Sequence, residues 1–173
     1  VVEANCANCH GMDGLSEAEG MPQLAGQRTV YLYRVLQAFQ AGVRSDISKN
    51  HNVFLNDQAI LSTAVYYAGL TPAQVTRKTG TVEATVATQS TGEKADSEPG
   101  GQSAEGADDP FFSIRPAMKR CVKCHGAEGQ AKGSGMPSLT AQDPEYFVTS
   151  MMAYVDGSRS HKLMERLVGK LDE

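Results

Sequence analysis

Apolar residues recur at helical spacing along "TVYLYRVLQAFQAG", and the run stops at Gly42, a usual helix end. A related stretch begins "DPEYF". There Asp143 is placed to cap the first turn, and Pro144 suits the first helical position, where a missing N–H loses no bond. A third helix is predicted over "NDQAILSTAVYYAGL", with Asp57 as an acidic N-cap candidate and Gly69 as the stop. The pattern is all-α. Between about Lys78 and Asp109 the chain turns to Thr, Ser, Gly, Ala and acidic residues with no helical stripe. So little apolar surface cannot offset the entropy of ordering, which predicts a flexible linker with ends about 30 Å apart. A surface loop on one compact domain is the alternative, although loops of this length inside compact domains are uncommon.

The helical segments belong to a unit written twice. A shift of 115 positions lays "CANCHGMDGLSEAEGMPQLAGQRTVYLYRVLQAFQAGVRS" over "CVKCHGAEGQAKGSGMPSLTAQDPEYFVTSMMAYVDGSRS" without a gap. Fifteen of forty positions are identical, among them His10/His125, Pro22/Pro137, Tyr31/Tyr146 and Arg44/Arg159. Register held through so many Gly and Pro positions means internal duplication, hence two domains. They are placed at 1–77 and 110–173, with the linker at 78–109. A domain of this size has a marginal core alone.

Composition excludes little and the cysteines decide. Apolar content of 40% and charged content of 21% are ordinary, and a net charge of −4 argues against a nucleic-acid partner. No apolar run approaches the roughly 20 residues needed to cross a bilayer. The opening "VVEANCANCH" carries no signal peptide and starts as a mature or trimmed chain does. The cysteines fall as "CANCH" (Cys6, Cys9, His10) and "CVKCH" (Cys121, Cys124, His125), each the attachment signature of c-type haem. Two thiols three positions apart on a helical turn share one side and can form thioethers with the vinyl groups. The adjacent histidine is then the proximal iron ligand. Zinc knuckles usually lie closer together, a thioredoxin-like pair needs a βαβ context, and disulfides need no histidine after each pair. Two covalently bound haem c groups therefore use every cysteine and would supply each small domain with an apolar centre. Covalent attachment occurs outside the cytoplasm, so the expected location is the bacterial periplasm or an equivalent face.

The order CxxCHG–G–GMPxL–(A)GQ–Y–AFxxGxR, present twice, resembles the tandem diheme cytochrome c4 family. The resemblance covers nearly all of the chain outside the linker. It implies two class I cytochrome c folds, one haem each, and periplasmic electron transfer. It also implies that the carbonyls of Pro22 and Pro137 brace the proximal imidazoles of His10 and His125, alongside simple turn chemistry. The family places a distal methionine after "GxR", and Met164 in "GSRSHKLMERLVGKLDE" stands there as the distal ligand of the second haem. His161, three residues earlier, is the alternative.

The first unit departs from this pattern, since no Met occurs from Pro22 to Ala117. His51 is the only imidazole of that segment and is taken as the sixth ligand of the first haem. Lys49, Met12, Met21 or an open iron are the rivals. Axial identity moves haem potentials widely, so a bis-histidine first haem would be the lower-potential centre and electrons would run toward the second. The second unit ends at "KLDE", matching "FLND" of the first, so its third helix is expected to be missing. A trimmed chain, or one completed by a partner, is the implication. The function expected is electron carriage between redox proteins or to a membrane oxidase or reductase. The alternatives are a haem enzyme acting on peroxide or a small sulfur or nitrogen oxyanion, or a haem subunit of a larger dehydrogenase. Against the enzyme stand the absence of an acid–base cluster and of a spare cysteine.

Overall fold

The computed structural model describes residues 1–44, 54–72 and 114–171, and every regular element among them is an α-helix. The first cysteine motif sits on two single-turn helices, α1 (Val2–Asn5) and α2 (Ala7–His10), separated by a kink at Cys6. Helix α3 spans Thr29–Gln40 and α4 spans Asp57–Ala68. In the second unit, α5 (Arg115–His125) carries its motif without a break, followed by α6 (Pro144–Val155) and α7 (Lys162–Val168).

Helix ends follow local chemistry. The Asp143 carboxylate accepts from the Tyr146 N–H at 2.7 Å and Pro144 opens α6. Helix α3 ends at Gln40, and Gly42, at φ 67°, turns its N–H back to the Phe39 carbonyl at 3.1 Å. The cap of α4 is one residue earlier than the pattern predicts. Asn56, not Asp57, accepts from the Ala59 N–H at 2.9 Å. Asp57 becomes the first helical residue, where its charge still favours the positive helix end.

The core sits where α3 meets α4. Leu32, Ala64 and Tyr67 are buried there, with Val2, Cys6, Leu24 and Leu70 packed around them. Each large side chain removed from water contributes about 1.5–3 kcal/mol. The copy in the second unit is less covered: Phe147, the counterpart of Leu32, is 36% exposed against 6%. Helix α6 packs on α7 instead.

The two units meet along a seam with approximate two-fold symmetry. The Gln27 amide donates to the Ser138 carbonyl at 2.9 Å and accepts the Ser138 N–H at 2.7 Å. Its counterpart Gln142 donates to the Gln23 carbonyl at 3.1 Å and accepts the Gln23 N–H at 2.6 Å. Arg44 donates to the Tyr146 hydroxyl at 2.8 Å, and Arg159 donates to the Tyr31 hydroxyl at 2.8 Å. Residue i meets j while the copy of i meets the copy of j, the signature of an isologous contact, here within one chain. Sequence alone leaves the units free to move separately; these bonds hold them together. The stretch read as the linker lies outside the described residues.

Candidate functional site

Each cysteine motif ends its helix at a glycine with positive φ: Gly11 at 72° and Gly126 at 80°. A Cβ on Gly126 would stand 2.2 Å from the Gln130 carbonyl oxygen, so only glycine fits this turn. The turn sends the chain back past the preceding histidine. His10 Nδ1 lies 3.1 Å from the Pro22 carbonyl oxygen, and His125 Nδ1 lies 2.9 Å from that of Pro137. A carbonyl can only accept, so each Nδ1 carries the proton and Nε2 keeps the lone pair. That is the tautomer an iron-ligating imidazole needs, and the ring plane is set by the same bond.

The bracing loops are themselves held. Ser16 donates its hydroxyl to the Cys9 carbonyl at 2.8 Å, and Gln23 clamps the Ser16 backbone through bonds of 2.8 and 2.9 Å. From α4, the hydroxyls of Tyr66 and Tyr67 donate to the carbonyls of Met12 and Gly11 at 2.8 and 3.1 Å. Burial pushes the Tyr67 hydroxyl pKa well up, so it stays a donor. These fasteners are not apparent in the sequence, because a Gln or Tyr at such positions has no motif. The duplication does flag Tyr31/Tyr146 and Arg44/Arg159, polar side chains retained in both copies.

All four cysteines are free thiols. Burial chiefly raises the Cys6 thiol pKa, opposed by the amino terminus. Among the described residues no three His, Cys, Asp or Glu side chains converge as a metal cage. The donor set therefore suits thioether attachment with one imidazole per site. Cys6, Cys9 and His10 would hold one haem, and Cys121, Cys124 and His125 the other.

The distal candidates are placed unevenly. Met164 lies half-buried on α7. His161 is exposed and caps that helix: its Nδ1 accepts from the Met164 N–H at 3.4 Å, and its N–H donates to Glu165 at 2.6 Å. Its ring thus has a structural use. Met12 is 47% exposed and Met21 is half-buried in the loop before Pro22. His51 and Lys49 lie outside the described residues.

Paired thiols, orientated imidazoles and helical units suit one kind of group, and the helical units have the fold of class I cytochrome c. The family model for cytochrome c matches residues 1–77. Cytochrome c4 of Pseudomonas aeruginosa is 28% identical over 174 residues, covering 97% of this chain and 77% of that one. The thiosulfate dehydrogenase electron acceptor of Thiomonas intermedia is 28% identical over 163 residues, covering 91% of this chain. The chain spans 65% of that relative's length. The structure of Acidithiobacillus ferrooxidans cytochrome c4 superposes with a TM-score of 0.66 at 22% identity, covering 98% of this chain and 91% of that chain. The chain is thus similar to cytochrome c4 over nearly its whole length and shares its all-α fold.

Proposed function

We propose that this protein is a diheme electron-transfer cytochrome of the periplasm or an equivalent extracytoplasmic face, with domains at 1–77 and 110–173. The observation that carries the reading is the repeated imidazole brace, His10 to Pro22 and His125 to Pro137, each behind a free thiol pair. Bound haem c supplies a one-electron iron couple. The protein's part is to fix each imidazole tautomer, to hold the bracing loops and to keep the units in register across the seam. Rigidity of this kind keeps reorganisation small when charge moves. Met164 is assigned as the distal ligand of the second haem and His51 of the first, which makes the first haem the lower-potential centre.

The partner is a redox protein that delivers electrons to the first unit, or an oxidase or reductase that takes them from the second. A thiosulfate dehydrogenase is a specific donor candidate, because the relative in Thiomonas intermedia is named as the electron acceptor of such an enzyme. Among the described residues no helix is long and apolar enough to cross a membrane. The enzyme alternative requires a displaceable ligand at the first haem.

The test is a potentiometric optical titration of the haem-loaded chain with carbon monoxide and cyanide challenge. Two one-electron steps and slow ligand binding are expected, with His51→Ala opening the first site to rapid binding. Rapid binding by the unaltered protein would instead make it an enzyme.

A further inference from the structure

The two units differ in charge at the place where they are otherwise copies. Residues 114–171 hold nine Lys and Arg against five Asp and Glu, whereas 1–44 and 54–72 hold three against five. Helix α5 carries four basic residues and no acidic one. Three of them, Lys119, Arg120 and Lys123, stand where the first unit has Ala4, Asn5 and Asn8. The duplication thus keeps the thiols and the imidazole and changes the charge beside them. Helix α7 and its end continue the patch: Lys162, Arg166 and Lys170 recur every four positions, each followed by a leucine. Arg120, Arg166, Leu167 and Lys170 line a groove of about 430 Å³, and no carboxylate lines it. The three cations are exposed. Glu165 is turned to the start of its own helix, where it accepts the Ser160 hydroxyl at 3.0 Å and the His161 N–H at 2.6 Å. Like charges gathered in this way attract an anionic partner. The leucines add apolar surface, with Leu163 37% and Leu171 45% exposed. An apolar centre with a charged rim is the pattern of a protein interface, and redox encounters use small ones. Helix α5 ends in His125 and α7 carries Met164, so the groove is built from the two elements that bear the axial candidates of the second haem.

We propose that the groove of Arg120, Arg166, Leu167 and Lys170 docks the redox protein that takes the electron from the second haem, and that this protein presents an acidic rim around an apolar contact. The assignment rests on the electron-transfer reading above and names the chemistry of its acceptor. In the step itself one electron leaves the ferrous iron of the second haem, which becomes ferric, and reduces the one-electron metal centre of the acceptor; no bond forms or breaks. The three cations are positioning residues. They raise the rate of correct encounter and leave the driving force alone.

The test is stopped-flow oxidation of the reduced, haem-loaded full chain by an acidic blue-copper protein, with the cation tris(phenanthroline)cobalt(III) as the contrasting oxidant. The second-order rate with the copper protein should fall as salt rises, because the screening length contracts from about 30 Å at 0.01 M to about 10 Å at 0.1 M. At low salt Arg166→Glu with Lys170→Glu should lower that rate about tenfold and speed the cobalt reaction. Arg166→Gln with Lys170→Gln, a milder pair for the fold, should shift both rates the same way by less. Lys132→Glu, a reversal outside the groove, should change neither much, and both haem midpoints should stay where they are in every variant. Rates that ignore salt and both groove pairs, in a protein with two haems, would overturn the docking site and leave the diheme reading standing. A slower reaction matched by a shifted midpoint would overturn it as well, since the groove would then act on the iron. So would phosphatidylglycerol vesicles whose binding both pairs abolish while the copper-protein rate holds, because the groove would then face lipid. A chain that takes up no second haem refutes the diheme reading, and this site with it.

Discussion

Gln27 is where the seam is most open to attack. Its side chain is 6% exposed and makes three bonds: to both backbone groups of Ser138, and from the Arg28 N–H at 3.0 Å. Gln142 repeats all three, bonding both backbone groups of Gln23 and accepting the Asp143 N–H at 3.2 Å. Gln27→Ala removes three bonds, each with a net value of about 1 kcal/mol. Ser138 is half-buried and Arg28 exposed, so water recovers some of that, leaving about 2 kcal/mol. For a chain of this size the melting temperature should fall by about 6 °C. Circular dichroism melts of the haem-loaded protein measure it. Gln142→Ala should cost about as much. The double variant should cost less than the sum, by at least about 0.5 kcal/mol, because the first loss already loosens the contact the second depends on. Melting temperatures within about 1 °C of the wild type, or strict additivity, would refute the seam as a single two-fold device.

Other expectations follow from single residues. Asp143 Oδ1 accepts both the Tyr146 N–H and, across the seam, the Gly20 N–H at 3.0 Å. Asp143→Ala should therefore cost about 1–2 kcal/mol by denaturant titration, and Asp143→Asn should restore most of it. Gly126→Ala forces a Cβ against the Gln130 carbonyl at positive φ and should cost about 3 kcal/mol, impairing haem attachment in the second unit and not the first. Burial alone would raise the Tyr146 hydroxyl pKa, but Arg44 and Arg159 outweigh it and the net shift is downward. A depressed acid contributes stability above its unfolded pKa and loses it as pH falls through the folded one. The stability difference between wild type and Tyr146→Phe should therefore grow as pH rises toward about 10, the ordinary tyrosine range. A flat difference across pH 7–10 would count against the Arg–Tyr cluster.

The candidate attachment motifs are legible in the residues because they are local. Two thiols, a histidine and a following glycine fall within six positions, Cys6 to Gly11 and Cys121 to Gly126, and helix periodicity marks α3, α4 and α6. The cap of α4 moved by one residue because Asn56 and Asp57 are both competent acceptors, and only the extended backbone at Asn56 decides between them. His161 illustrates a different limit. A lone imidazole near a ligand position invites a metal role, yet its ring caps α7. The seam was the least legible part. Gln27 and Gln142 act through backbone groups more than a hundred positions away, and nothing in a sequence records the identity of a partner that distant.

Intact-mass analysis of the chain, matured in a host that attaches haem c, addresses the central claim most directly. The account predicts two covalent haems per chain, falling to one when Cys6 and Cys9 are replaced by serine and to one when Cys121 and Cys124 are. A mature protein with fewer than two haems, or one whose haem count ignores either pair of cysteines, would contradict it.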